Sequence, residues 1–172
     1  DYQILAINQL YRNEFGDVPL PNKAHCYEVS HGYTVPCDEA GEDCPLSAVM
    51  HSGHKERVLH IHQTPRGKEH VDVEMLPIHD GQGELLFFVE LLRRVSVASA
   101  ENMSNKLVGA SKRFNQMLEK VTRVSRSEAS VLLLGESGSG KELVATAVHQ
   151  GSHRANNSLV TLECAGLTDS LF

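Results

Sequence analysis

"VDVEMLPIHDGQGELLFFVELL", residues 71–92, decides the fold of the first half of the chain. Its two runs, 71–78 and 85–92, are alternating or wholly apolar, as strands are. The intervening "HDGQGE" carries two glycines that permit a tight reversal, so the pair reads as an antiparallel hairpin. Upstream, "VLHIH" at 58–62 has the same character and adds a third strand, making a meander. Further back, "YQILAINQLYRNEFG" predicts a short strand running into a short helix stopped at Gly16, and "LSAVMHSG" predicts another short helix stopped by Gly53. One early strand, short helices and a meander make an α+β pattern with a single sheet over residues 1–95.

Bulk composition excludes several classes. The 172 residues are 41% hydrophobic and 22% charged, as in soluble globular proteins, and no apolar run is long enough to span a bilayer. The net charge of −6 is uneven: 8 basic and 15 acidic side chains precede residue 96, and 8 and 7 follow. Neither half has the basic stripe of a nucleic-acid binder. Four cysteines without a charged-then-apolar leader suit reduced thiols in a cytoplasmic protein with no membrane partner. The chain starts at Asp1 and stops at "LTDSLF", which suggests a fragment cut at both ends.

From Ser96 to Lys106 the apolar periodicity fades into small and polar residues, and a linker is expected there. Ser111 can then cap a helix whose Phe114, Met117, Leu118, Val121 and Val124 recur at spacings of three and four. "VLLL", 131–134, has the wholly apolar character of a parallel strand covered on both sides. Directly after it stands "GESGSGKE", residues 135–142, and then a helix in which Leu143, Val144, Ala147 and Val148 share a face. Strand, glycine-rich loop and helix follow in the order that phosphate binding requires. Gly135, Gly138 and Gly140 let the backbone turn so that N–H groups, with those of Glu136, Ser137 and Ser139, point at a phosphate. The helix dipole adds positive potential, and Lys141 supplies a mobile cation. Glu142 stands where a magnesium-binding Ser or Thr usually follows the lysine.

That departure carries a resemblance. "GESGSGKE", within the continuous stretch from Leu107 to Phe172, resembles the phosphate loop of the sigma-54-dependent transcriptional activators, a branch of the AAA+ ATPases in which Glu after Lys is usual. The resemblance implies an α/β P-loop domain, cut short, over 107–172. It implies ATP and Mg2+ as ligands, with Leu107, Val108 and Gly109 near the adenine and "LVTLECAGL", 159–167, as the second strand. It also implies partners: sigma-54 RNA polymerase, further copies of the chain in a ring, and DNA through a helix-turn-helix beyond Phe172. The Walker B acid and arginine finger would lie beyond it too, so this piece is not expected to hydrolyse ATP efficiently. His149 and His153 read as a polar helix end, and Cys164 as a small core residue.

Residues 1–95 then occupy the place of a sensor, and their element order with the run ending "PIHDGQGELLFFVELLRRV" resembles the PAS family. Such a domain would transduce a signal to the ATPase through its last strand; a ligand-free dimerisation role is equally open. Inside it, Cys26, His31, Cys37 and Cys44 have the spacing C-x4-H-x5-C-x6-C. Three thiolates and an imidazole suit zinc or an iron–sulfur centre, but no C-x-x-C pair or C-x-x-C-H haem signature is present. Packing, metal binding and a thiol redox switch all stay open. His60 and His62, alternate on a strand, could ligate haem or a metal, though partly exposed polar roles are the expectation. Two other readings stand beside the activator: a stand-alone metal or redox sensor, and a PAS-like domain fused to another P-loop NTPase.

Overall fold

The structure, a computed structural model, describes residues 2–20, 24–99 and 106–162. Its centre is an antiparallel sheet of β1 (Glu56–Thr64), β2 (Gly67–His79) and β3 (Leu85–Arg94), in the order β1-β2-β3. All three strands are longer than the apolar runs that predict them, because polar residues extend their ends, some exposed, such as Lys68, and some buried, such as Thr64 and His70. The β1–β2 turn is closed by Thr64, whose Oγ1 donates to the Gly67 carbonyl and accepts from the Arg66 N–H. At the β2–β3 turn the Asp80 carboxylate accepts from the N–H groups of Gln82 and Glu84, and Gly83 takes the positive φ of 87° that the reversal requires.

Cross-strand register sorts the side chains into two faces. His60 pairs with Val71, His62 with Glu69, Val58 with Val73, and Met75 with Glu90, so these share one face. Three short helices cover it: α1 (Gln9–Phe15), α2 (Cys26–His31) and α3 (Pro45–Ser52). Here Cys37, Cys44, Leu46, Val49 and Met75 form a buried cluster. The early strand is reduced to one bridge, Gln3 to His25. Its partner segment turns into α2 at once, so the ladder has nowhere to extend.

Helix α4 (Lys112–Val124) packs against β1, with Leu59 facing Leu118 and Val121 in the second buried cluster. Ser111 Oγ caps it by accepting from the Phe114 N–H. Burying a leucine such as Leu118 stabilises by about 1.5–3 kcal/mol. The segment expected as a linker contributes to the same core: Val97 and Ala98 are buried, and β4 (Ala98–Ser99) pairs in parallel with β5 (Leu107–Val108).

Residues 131–134 do not form the expected buried strand. Leu132 is 81% exposed and Leu134 84%, and no described residue pairs with them. A parallel strand derives its burial from neighbours on both edges and layers on both faces. Leu159–Leu162, the described part of the expected second strand, is equally exposed and unpaired among the described residues; 163–167 and Cys164 lie outside them.

Candidate functional site

The glycine-rich loop 135–142, read from the sequence as a phosphate site, runs into α5 (Lys141–Gln150). Gly138 and Gly140 have φ of 78° and 84°, a region that side chains with a Cβ enter only at a cost. Gly135 sits so close to Ser139 that a Cβ there would lie 2.8 Å from its Oγ. Ser139 donates its hydroxyl to the Glu136 carbonyl, which closes the turn. Lys141 folds back over the loop, its ammonium donating to the carbonyls of Gly135 at 2.9 Å and Glu136 at 2.6 Å. Beneath it lie the orphan N–H groups of the first turn of α5. The arrangement can exchange carbonyl partners of the lysine for an anion.

Ala147 anchors α5 in the core shared with α4, and Val144 and Val148 pack against that core, whereas Leu143 faces out. Helix α5 also packs on β5, which places Leu107 and Val108 beside the helix that leaves the loop. Gly109 follows, and its carbonyl accepts from His70 Nε2 at 2.9 Å. Glu142 is exposed in the first turn of α5.

The second constellation lies on the helix-covered face of the sheet. His31 ends α2, and His60 and His62 project from alternate positions of β1. The rings meet edge to face, with His31 4.8 Å from both His60 and His62 between centroids. Each residue offers a nitrogen, and these three nitrogens lie within 4.8 Å of one another. His60 and His62 are buried, contrary to the expectation of partly exposed side chains, because α1 and α2 close over this edge of the sheet. Phe15 of α1 stands over His62, ring centroids 6.1 Å apart.

Two of the rings are held from outside. His31 Nδ1 donates to the Ile61 carbonyl at 3.0 Å, and His60 Nε2 donates to the Asp43 carbonyl at 2.6 Å. Burial depresses all three imidazoles: His31 falls to about 4, His60 falls, and His62 falls well below its ordinary value.

Cys26, Cys37 and Cys44 line the same cleft with Glu90, so the spacing quartet is gathered in one region. Among the described residues, however, the group with ligand spacing is His31 with the two strand histidines. Cys44 stands at the N-cap position of α3, and interaction with the Cys37 thiol, then with the N–H groups of Ser47 and Leu46, lowers its thiol. The Cys37 thiol is raised by the same contact and by burial. Free space in the cleft is about 10 Å³, room for a single ion and far too little for a haem.

Helix α2 was not legible as a helix in the sulfur-rich stretch. Its signal is local: Glu28 accepts from the His25 N–H, and Gly32 stops the helix in the left-handed region at φ 70°. A larger cleft of about 230 Å³ opens between the sheet edge and α4, lined by Asp43, His60, Lys112 and Asn115 among others. Across it the Lys112 ammonium meets the Asp43 carboxylate at 3.1 Å.

The family model described as Sigma-54 interaction domain matches residues 107–172. Similar proteins include the anaerobic nitric oxide reductase transcription regulator NorR of Vibrio vulnificus (strain YJ016), 45% identical over 80 residues, covering 46% of this chain and 16% of that one. The transcriptional regulatory protein ZraR of Escherichia coli (strain K12) is 49% identical over 65 residues, 38% of this chain and 15% of its own. NorR of Aeromonas salmonicida (strain A449) is 41% identical over 91 residues, 50% and 18%. The chain thus spans less than a fifth of the length of these relatives. No solved structure matches the chain.

Proposed function

We propose, on the footing that residues 107–172 are a segment of a sigma-54 activator, that this chain serves in signal-responsive, ATP-dependent activation of sigma-54 RNA polymerase in the cytoplasm. Residues 1–95 are the input, a PAS-like sensor; 96–106 connect it to the nucleotide-binding part. The match of the Sigma-54 interaction domain to the segment that contains the phosphate loop carries this reading.

The residues present fit a nucleotide. Gly138 and Gly140 hold the loop open with positive φ, and Lys141 is poised on two carbonyls that a phosphate would displace. Gly135 to Glu142 receive the phosphates and Val108 with Gly109 lie toward the base. Bound ATP, with Mg2+ as its counter-ion, supplies the phosphoanhydride whose cleavage drives remodelling of the polymerase. Ring assembly and DNA contact belong, in this reading, to the whole protein.

A reporter driven by a sigma-54 promoter tests the reading in cells that carry the gene with Lys141→Ala. Output should fall to the level of a gene deletion, while a reporter independent of sigma-54 stays unchanged. Full output from the Lys141→Ala gene contradicts the proposal.

A further inference from the structure

We propose that His31, His60 and His62 form a three-imidazole site for one divalent first-row transition ion, with zinc(II) the reference occupant, completed by a fourth donor from the cleft of Cys26, Cys37, Cys44 and Glu90. This goes beyond the activator reading and does not depend on it.

The nitrogens already converge to within 4.8 Å. Zinc–imidazole bonds of about 2.1 Å in a tetrahedron set nitrogens roughly 3.4 Å apart, so closing the separation by about 1.4 Å brings them to ligand spacing. Both outer hydrogen bonds fit a ligating histidine, which donates its other N–H to a backbone carbonyl and thereby fixes its tautomer. With Nδ1 of His31 and Nε2 of His60 so engaged, His31 Nε2 and His60 Nδ1 carry lone pairs. The third ring supplies an independent observation: His62 is 1% exposed, and its Nδ1 has no hydrogen-bond partner among the described residues. A buried imidazole nitrogen left unpaired forfeits the hydrogen bond it had with water, and a metal bond removes that cost.

Ligand chemistry narrows the occupant. Three neutral imidazoles suit zinc, nickel, copper or iron and are poor partners for magnesium or calcium. The size of the cleft admits an ion and excludes a macrocycle. The site also adjoins the second module: the Asp43 carbonyl holds His60, and the Asp43 carboxylate meets Lys112 at the start of α4.

The test uses the whole chain, purified without a histidine tag, stripped with chelator and titrated with Zn2+ by calorimetry and Co2+ by visible absorption. One ion per chain is expected, with the intense absorption of tetrahedral Co2+. His31→Gln, His60→Gln and His62→Gln, each checked for folding by circular dichroism, should each weaken binding at least tenfold, whereas His54→Gln on the surface should not. X-ray absorption of the zinc-loaded wild-type chain needs no variant and should give three imidazoles. Absence of binding by the folded wild-type chain, losses below tenfold in the folded variants, or a shell with fewer than three imidazoles overturns the proposal.

Discussion

His70 Nε2 donates to the carbonyl of Gly109 at 2.9 Å, so a buried ring of the central strand holds the backbone just ahead of α4. The same ring lies 5.6 Å from that of Phe114, and Phe114 in turn fills the space above Gly109. The sheet and α4 therefore share a contact with little room for adjustment.

His70→Leu should destabilise the chain by about 1–3 kcal/mol, because it strands the Gly109 carbonyl. Urea denaturation read by circular dichroism measures it. An unchanged midpoint would show that the contact carries no stability.

Gly109→Ala should cost stability for a steric reason. Its Cβ would lie 2.6 Å from the Phe114 ring, and displacing that ring costs roughly 1–3 kcal/mol. Phe114→Leu in the same background should recover part of the loss, and a double-mutant cycle reads the coupling. Additive effects would count against direct contact.

Arg57 and Asp72 form a bidentate pair across β1 and β2, with Asp72 buried. Asp72→Asn leaves the guanidinium without its counter-charge, at a cost of about 3 kcal/mol, the low end for a buried pair since Arg57 keeps some solvent contact. Thermal denaturation should register a clear drop in Tm; a drop no larger than that of a surface Asp→Asn change would refute it.

Glu74 on β2 takes the Lys55 ammonium, just ahead of β1, at 2.7 Å and the Arg93 guanidinium of β3 at 3.4 Å. The hydrogen bond from Lys55, then the two cations together, hold its carboxyl below the usual value of 4.5. A depressed carboxyl contributes stability that is present above the unfolded pKa and lost as pH falls through the folded one. Wild type should therefore lose stability below about pH 4.5 more steeply than Glu74→Gln. Equal slopes of stability against pH below that value in the two chains would remove Glu74 as a source of the acid sensitivity.

Legibility in the sequence followed the range of the forces involved. The meander was readable because alternation and turn glycines act over a few residues, as in 71–92, and Ser111 with its periodic apolar face announced α4. Helix α2 was missed since its start is capped by His25 and Glu28, an uncommon pairing, inside a stretch dominated by cysteine. The "VLLL" run shows the converse error: apolar composition states what a strand needs, while its neighbours decide whether it forms. His31 was read with the cysteines by spacing, yet the packing of α2 on β1 brings it to His60 and His62, about thirty residues away along the chain. The turn in "GESGSGKE" was legible from its glycines, because Gly138 and Gly140 do take the positive φ that only local backbone geometry dictates.

Calorimetric titration of the whole chain with Mg–ATP asks whether "GESGSGKE" binds nucleotide phosphates. Saturable binding is expected, and Lys141→Ala should weaken it at least tenfold, about 1.4 kcal/mol. No binding by the folded chain, or equal affinity in the Lys141→Ala variant, would contradict it.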